Sequence, residues 1–538
     1  MAHSTANTSG GSTGEKAPRD ALPSSSEKLG KSNVFPGEIN NEEVVGYVKE
    51  FAPAKGGIEL YPKPTEDPLD PLNFSRIEKW TILGIVMWMY FLFTYITTTT
   101  VPSFPLLQEQ YSISYSQVNW TVAIPALGLS LGPLFWSSLA DIYGRRIIFI
   151  TGTIMAFIAT IGSAVAPTYE RYMAARFFQG FGVSPAATVG MAIVNDLFFE
   201  YERGQKLGLW VLALDMGLLI GPLIGGFVSL VDQYWVAWLT AILFGVLLVA
   251  EIFFLPETLY PRKLILSRLP TTTTEVGLGD DPEKTSAKVS LDIKRTKNLP
   301  FVNFTKIAGI EHPKPWDAFM QFCKLWSFPN IAVSVFFYCF AWYWWVLSVI
   351  TYLPVAYPQY AANIQGLLFL GLILGTLICE IFCSGTLSDR IVSLLAKKNN
   401  DVRVAEMRLW LVYPAVIITA VGLILWGISV DKGHHWMVGQ VALFLFAAGI
   451  QIGNTAISAY IVDCYPSHAM SVIVFYSVLL NLSAFVNPFF IAPWCDSVGF
   501  TWTFSAQGLL TFGVMMPVTV VLQRYGLQWR TARGEPRW

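Results

Sequence analysis

Twelve apolar runs of about twenty residues, six on each side of one long polar stretch, constrain this chain more than any other feature. A helix needs about 20 apolar residues to cross the hydrocarbon core of a bilayer. Runs of that length lie near 80–101, 118–138, 147–167, 172–195, 207–230 and 234–255, then near 330–353, 364–387, 409–428, 436–461, 470–491 and 501–522. The pattern predicts an all-α membrane protein made of two six-helix bundles related by pseudo-two-fold symmetry. Composition agrees: 53% of the 538 residues are hydrophobic and only 14% charged, against about 25% charged in soluble proteins. The formal net charge of -1 leaves no basic field for phosphates and excludes nucleic acid as a partner. The scattered cysteines form no metal-ligand set, and the motifs below imply neither a metal nor a cofactor.

Residues 1–79 are rich in Ser, Gly, Lys, Glu and Pro and predict a disordered cytosolic tail, since that composition cannot bury a core. Residues 80–255 form the N-terminal bundle, 256–329 a cytosolic central loop, 330–522 the C-terminal bundle and 523–538 a short cytosolic tail. Within the loop, the stretch from Trp316 to Trp326 has the pattern of an amphipathic helix lying in the membrane interface. Orientation follows from the short loops. Arg145, Arg146, Arg203, Lys206, Arg390, Lys397 and Lys398 all fall on one side, as do Arg76, Lys79, Arg524 and Arg530 at the ends. By the positive-inside rule that side is the cytosol, and both termini are cytosolic.

One short polar motif occurs twice, each time just after an apolar run. The first copy is Ser137-Ser138-Leu139-Ala140-Asp141-Ile142-Tyr143-Gly144-Arg145-Arg146, and the second is Gly385-Thr386-Leu387-Ser388-Asp389-Arg390. Its repetition in the two halves points to a duplicated bundle. A glycine stripe, Gly217, Gly221 and Gly225, recurs at i, i+4, i+8 in the fifth run, with Pro222 and Gly226 beside it. Such a face suits close backbone contact, and the proline can bend the helix. Arg176, Asp215 and Glu380 are charged residues inside apolar runs. At mid-membrane each costs about 2.5–3.5 kcal/mol on insertion scales, so each needs a purpose.

The Asp141 motif resembles the signature loop between helices 2 and 3 of the major facilitator superfamily. Arg176-Phe177-Phe178-Gln179-Gly180-Phe181-Gly182 resembles the superfamily's helix-4 motif, and Gly217 to Gly226 is similar to the helix-5 motif of drug:proton antiporters. Leu255-Pro256-Glu257-Thr258, Asp463-Cys464-Tyr465-Pro466 and the Asp-Pro-Leu-Asn lead-in at Asp70 to Asn73 resemble fungal, twelve-helix members of that family. Ser137 stands where the first motif usually has Gly, and Ile142 where it usually has a basic residue. The second copy lacks the later Gly and basic pair.

The resemblance implies a secondary transporter that is not an enzyme, exporting small organic molecules by proton antiport with alternating access. It would be monomeric and would sit in the plasma or the vacuolar membrane. Asp141, Gly144, Arg145 and Arg146 with Gly385, Asp389 and Arg390 would form cytosolic gates. Asp141 can accept from helix N-terminal amides, and the arginines can pair with groups on the other half. Gly217, Gly221, Pro222, Gly225 and Gly226 would form the antiporter motif, in which the bend at Pro222 faces the opposite half, resists leakage and favours exchange. Asp215 or Glu380 would carry the coupling proton, with Arg176 facing the central cavity. A substrate cavity would draw on Tyr90, Tyr95, Gln179, Trp342, Tyr343, Trp345, Tyr352, Gln451 and Asn454, a set suited to a bulky, mostly uncharged or amphipathic ligand. A proton-coupled symporter for nutrient uptake and a non-transporting membrane sensor are the alternatives.

Overall fold

The computed structural model describes residues 64–65, 67–260, 313–399 and 402–536. Most of the tail 1–79 and the middle of the loop 256–329 therefore lie outside the described residues. The fold is all-α. Helix α1 (Arg76–Thr98) opens on a reciprocal cap: Ser75 Oγ accepts from the Glu78 amide at 3.3 Å, and Glu78 accepts from the Ser75 amide at 3.0 Å. Two donors left over at a helix start are satisfied in this way. Helix α2 (Tyr115–Tyr143) opens on the same device, built from Ser114 and Gln117. Helix α3 (Arg145–Ala164) follows after one residue, Gly144, at a φ of 106°. That left-handed backbone strains any residue with a Cβ, which is why the motif has glycine here. Helix α4 (Tyr169–Leu197) is interrupted at Ser184, where Pro185 removes a backbone donor. Helices α5 (Glu200–Val228) and α6 (Gln233–Phe254) complete the first bundle.

The second bundle holds α7 (Pro329–Ala356), α8 (Ala362–Lys398), α9 (Val412–Asp431) and α10 (Trp436–Cys464). Among the described residues, eleven helical stretches are long and apolar enough to cross a membrane. The last of them runs on to Arg533 and turns at Gly499, φ 78°, into two limbs, α11 (469–498) and α12 (500–533). Twelve crossings result. The first bundle packs around Leu83, Val86, Phe149, Val194 and Phe244, and the second around Trp342, Ile350, Val416, Ile457 and Phe504. The second cluster continues through Phe104, Val118 and Val122 of the first half, so the two bundles share apolar packing at their outer ends. Ile242, Val246, Val249 and Phe253 of α6 are exposed, a surface suited to lipid rather than water.

The expected disorder through residue 79 is corrected at its end. Asp70 is wholly buried and accepts from Thr65 N and Oγ1, at 3.0 and 3.1 Å, and from Leu72 N at 3.1 Å. Tyr260, just past α6, donates to Asp67 at 2.9 Å, which ties the strap to the end of the first bundle. Short Asp side chains satisfy the turn amides locally, so a polar, proline-rich stretch is ordered without a core of its own. The short helix Asp317–Leu325 forms as the amphipathic pattern predicts. Its Ala318 amide donates to Ser138 Oγ at 3.1 Å, and its Gln321 accepts from Ser471 of α11 at 2.8 Å. It thereby joins the inner ends of both bundles. Trp316, Phe319 and Trp326 remain exposed along it.

Candidate functional site

Two carboxyl side chains from different bundles lie near one amide. Asp215 sits midway along α5 and Glu380 midway along α8; Gln451 of α10 donates Nε2 to Glu380 Oε2 at 2.8 Å. Asp215 and Gln451 line the same small cavity, together with Tyr343 and Thr376. Asp215 Oδ2 is buried without a hydrogen-bond partner among the described residues. A second small cavity shares Leu218, Tyr343 and Val346 with the first and reaches Thr94, Thr97 and Asn481. The space therefore lies between the bundles, with α1, α2 and α5 on one side and α7, α8, α10 and α11 on the other.

Tyrosines surround this space. Tyr90 stacks on Trp210 at 4.0 Å and lies within electrostatic reach of Asp215. Tyr338 and Tyr476 stack across α7 and α11 at 6.1 Å, and the Tyr476 hydroxyl bonds Asn454 Oδ1. Two of the helices loosen here into π turns, Cys339–Tyr343 in α7 and Glu380–Ser384 in α8. Such turns are a common way of re-aiming side chains at functional sites. Tyr338, Tyr476 and Trp210 escaped the sequence reading because single aromatics in an apolar run give no directional signal.

Other predicted site residues lie elsewhere. Tyr95 stacks with Phe91 and is wholly buried in the core of the first bundle. Trp342 donates to Thr419 of α9 at 3.1 Å, and Trp345 to Thr511 of α12 at 3.0 Å, so both rings pack inside the second bundle. Gln179 joins Arg176 and Thr160 within the first bundle, with bonds of 2.8 Å each. Tyr352 meets Tyr115 edge-on at 6.1 Å, and Tyr115 donates to the Thr351 carbonyl at 3.2 Å. These last contacts join α2 to α7 at the outer ends of the bundles. A further intramembrane carboxyl, Glu251 of α6, was missed. It is wholly buried and accepts from Thr153 at 2.8 Å. Its only sequence signal is one acidic residue near the end of an apolar run.

At the cytosolic ends, the arginines turn toward their own bundle. Arg145 pairs with Asp196 and donates to the Ala192 carbonyl at 2.9 Å; Arg146 donates to the Ile252 carbonyl at 2.8 Å. These partners all belong to the first bundle and not to the other half. The one-residue turn at Gly144 holds both arginines in the first turn of α3, beside the ends of α4 and α6. The amides of Arg145 and Arg146 donate to Glu257 at 3.0 and 3.2 Å, so Glu257 does capping expected of Asp141. A carboxylate there also meets the positive end of the helix dipole. Asp141, at the end of α2, lies within electrostatic reach of Arg145. In the second copy, Arg408 pairs with Asp463 and donates to Asp389 at 3.3 Å, while Arg390 is exposed on α8 and Gly385 begins its last segment.

The glycine stripe also divides its work. A Cβ at Gly217 would fall 2.6 Å from Thr94 Oγ1, and one at Gly221 2.8 Å from Thr98 Oγ1. Gly225 abuts Thr99, so all three face α1 of the same bundle. Thr98 donates to the Leu218 carbonyl at 2.8 Å along this seam. Gly226, with the Pro222 carbonyl, instead meets Ala362 and Gly366 of α8, across the interface. Gly217, Gly221 and Gly225 thus form a close-packing face within the first bundle, while the Pro222–Gly226 side of the helix meets the second.

Residues 86–488 match the family model of the Major Facilitator Superfamily. The chain belongs to this superfamily. It is a multi-pass membrane protein and a secondary active transporter of small organic molecules, not an enzyme. Among similar proteins, the MFS transporter cpaT of Aspergillus oryzae is 28% identical, over 86% of this chain and 89% of that protein. The probable efflux pump mfs2 of Aspergillus flavus is 28% identical, over 80% of this chain and 98% of its own. Among solved structures, the human organic anion transporter MFSD10 superposes with a TM-score of 0.58 at 14% identity, covering 82% of this chain and 99% of that one. The partially occluded inward-open xylose transporter XylE from E. coli gives 0.58 at 13%, covering 84% and 98%. At these identities the structures speak for the fold alone.

Proposed function

We propose that this transporter is a proton-coupled exporter, of the drug:proton antiporter type, for small amphipathic organic molecules. The observation that carries the reading is the meeting of Asp215 and Glu380, from opposite bundles, around Gln451 in the interface cavity. A carboxyl on each bundle, beside one shared amide, makes proton occupancy sensitive to how the bundles rock, as coupled exchange requires. Tyr90, Tyr343 and Asn454 offer aromatic faces with few polar groups, which suits a bulky and largely uncharged substrate. The Gly217 to Gly226 motif and the relatives named as efflux pumps, mfs2 and radE of Floropilus chiversii, favour outward movement. The chain works as a monomer in the plasma membrane in this reading, with Asp141, Arg145, Asp389 and Arg408 setting the stability of the inner ends. Metabolite profiling of cells and medium, with and without the gene, tests the direction. Build-up of an organic solute inside null cells is expected; slower uptake from the medium in null cells would refute export.

A further inference from the structure

We infer that the outer part of the first bundle holds a small monovalent anion, a halide or a carboxylate group, on Arg176. This site is separate from the interface cavity. Arg176 is only 2% exposed. Its Nε and Nη2 donate to the Thr121 carbonyl at 3.3 and 3.2 Å, and Nη1 donates to Gln179 Oε1 at 2.8 Å. All of these acceptors are neutral, and no carboxylate pairs with Arg176 among the described residues. A guanidinium carries five N–H donors, so two remain after these three bonds. A buried, uncompensated charge is strongly unfavourable unless a counter-ion meets it.

The surroundings are built for that counter-ion. Arg176 and Gln179 line a small pocket whose wall includes Thr99, Thr100, Ser103 and Ser163 and contains no Asp or Glu. The hydroxyl of Thr100 is buried and has no hydrogen-bond partner among the described residues, and that of Thr99 is buried beside the Tyr95 phenol. Gln110 donates to Tyr234 at 3.2 Å at the exposed rim. Rotatable hydroxyls and a spare guanidinium edge can all donate to one anion, whereas a cation would meet Arg176 head-on. The pocket has no acidic lining residue and shares none with the Asp215 cavity, which makes it a site for a resident anion and not for the coupling proton.

The test uses the purified full-length chain in detergent, followed by thermal unfolding during titration with sodium chloride, bromide or acetate against a bulky zwitterionic sulfonate (MES) at constant ionic strength. Saturable stabilisation by halide over the sulfonate is expected. Line broadening of 35Cl resonances should follow the same saturation curve. Arg176→Gln should abolish both effects, and the double variant Thr99→Val, Thr100→Val should weaken apparent affinity about tenfold. Should Arg176→Gln fail to fold, the double variant decides. Acetate competing with halide assigns the site to carboxylates as well, and inert acetate assigns it to free halide. Equal stability of the wild type in chloride, bromide, acetate and the sulfonate, or unchanged saturation in the folded variants, would overturn the proposal.

Discussion

Gln451 donates its side-chain amide to Glu380 at 2.8 Å, and the same amide borders the cavity that Asp215 faces from the other bundle. One neutral side chain therefore stands between two ionisable ones that move with different halves of the molecule. Replacing it by an apolar isostere leaves Glu380 without its principal donor in a low-dielectric site. Gln451→Leu is expected to lower the initial rate of export about tenfold and to flatten its dependence on external pH. Rates measured across a pH series check this; a profile identical to wild type would remove Gln451 from the coupling site.

Glu257 caps α3 through the amides of Arg145 and Arg146 and also accepts from Leu259 at 2.8 Å. Glu257→Ala is expected to cost about 1–2 kcal/mol of stability, with Glu257→Gln losing less because it keeps an acceptor. Thermal unfolding of the purified variants in one detergent ranks them. Equal melting of the wild type and both variants would mean that the charge and the bonds contribute nothing.

The α1–α5 seam tolerates no side chain at its glycines. Gly217→Val is expected to abolish stable expression, since the added atoms collide with Thr94 and the Phe91 carbonyl. Gly84→Ala is the control, because nothing lies within 4 Å of its Cβ position. Fluorescence-detected size exclusion reads both, and a monodisperse Gly217→Val peak would contradict the seam's tightness.

The outer ends of the bundles are held together by Tyr115 and Tyr352, and Cys495 lies within electrostatic reach of both phenols. The thiol is 5% exposed. Tyr115→Ala with Tyr352→Ala should open this end more often, raising the rate at which an impermeant maleimide labels Cys495 from outside by about tenfold. Cys495→Ser in the same background supplies the blank. A labelling rate no higher than in the wild type would show that these rings do not close the outer end.

Much of the fold was legible in the sequence, and less of the site. Span number and order followed from apolar length, because a bilayer admits few other solutions. Asp215, Glu380, Gln451, Tyr90 and Tyr343 were found as polar or aromatic outliers in apolar runs. Tyr95, Trp342 and Trp345 sit in the same runs with the same composition. Only helix rotation sends them into a bundle core instead of the interface, and the π turns at Cys339–Tyr343 and Glu380–Ser384 shift that rotation in a way no regular period foretells. The partners of Arg145 and the strap at Asp70 were illegible for another reason: both depend on contacts between segments far apart in the chain, Asp196 in one case and Tyr260 with Asp67 in the other.

Tyr260 gives that strap a pH limit. Burial, with the Asp67 carboxylate beside it, pushes its phenol up to about 12. A phenol whose folded value is raised adds stability that is intact below the ordinary value near 10 and is lost as pH rises through the folded one. Proteolytic cutting of the 64–74 segment should therefore accelerate between about pH 10 and pH 12. Tyr260→Phe, which cannot donate to Asp67, should be cut faster already at neutral pH. Equal cutting of Tyr260→Phe and wild type at neutral pH would mean that the strap is held by other contacts.

The coupling claim is tested most directly by substrate movement in proteoliposomes under an imposed pH gradient, comparing wild type with Asp215→Asn and Glu380→Gln. The substrate is the solute identified by profiling. Wild type should accumulate it against its gradient, and at least one amide variant should retain substrate exchange at equal pH while losing the response to the gradient. Full gradient-driven accumulation in both variants would contradict a proton site at Asp215 and Glu380.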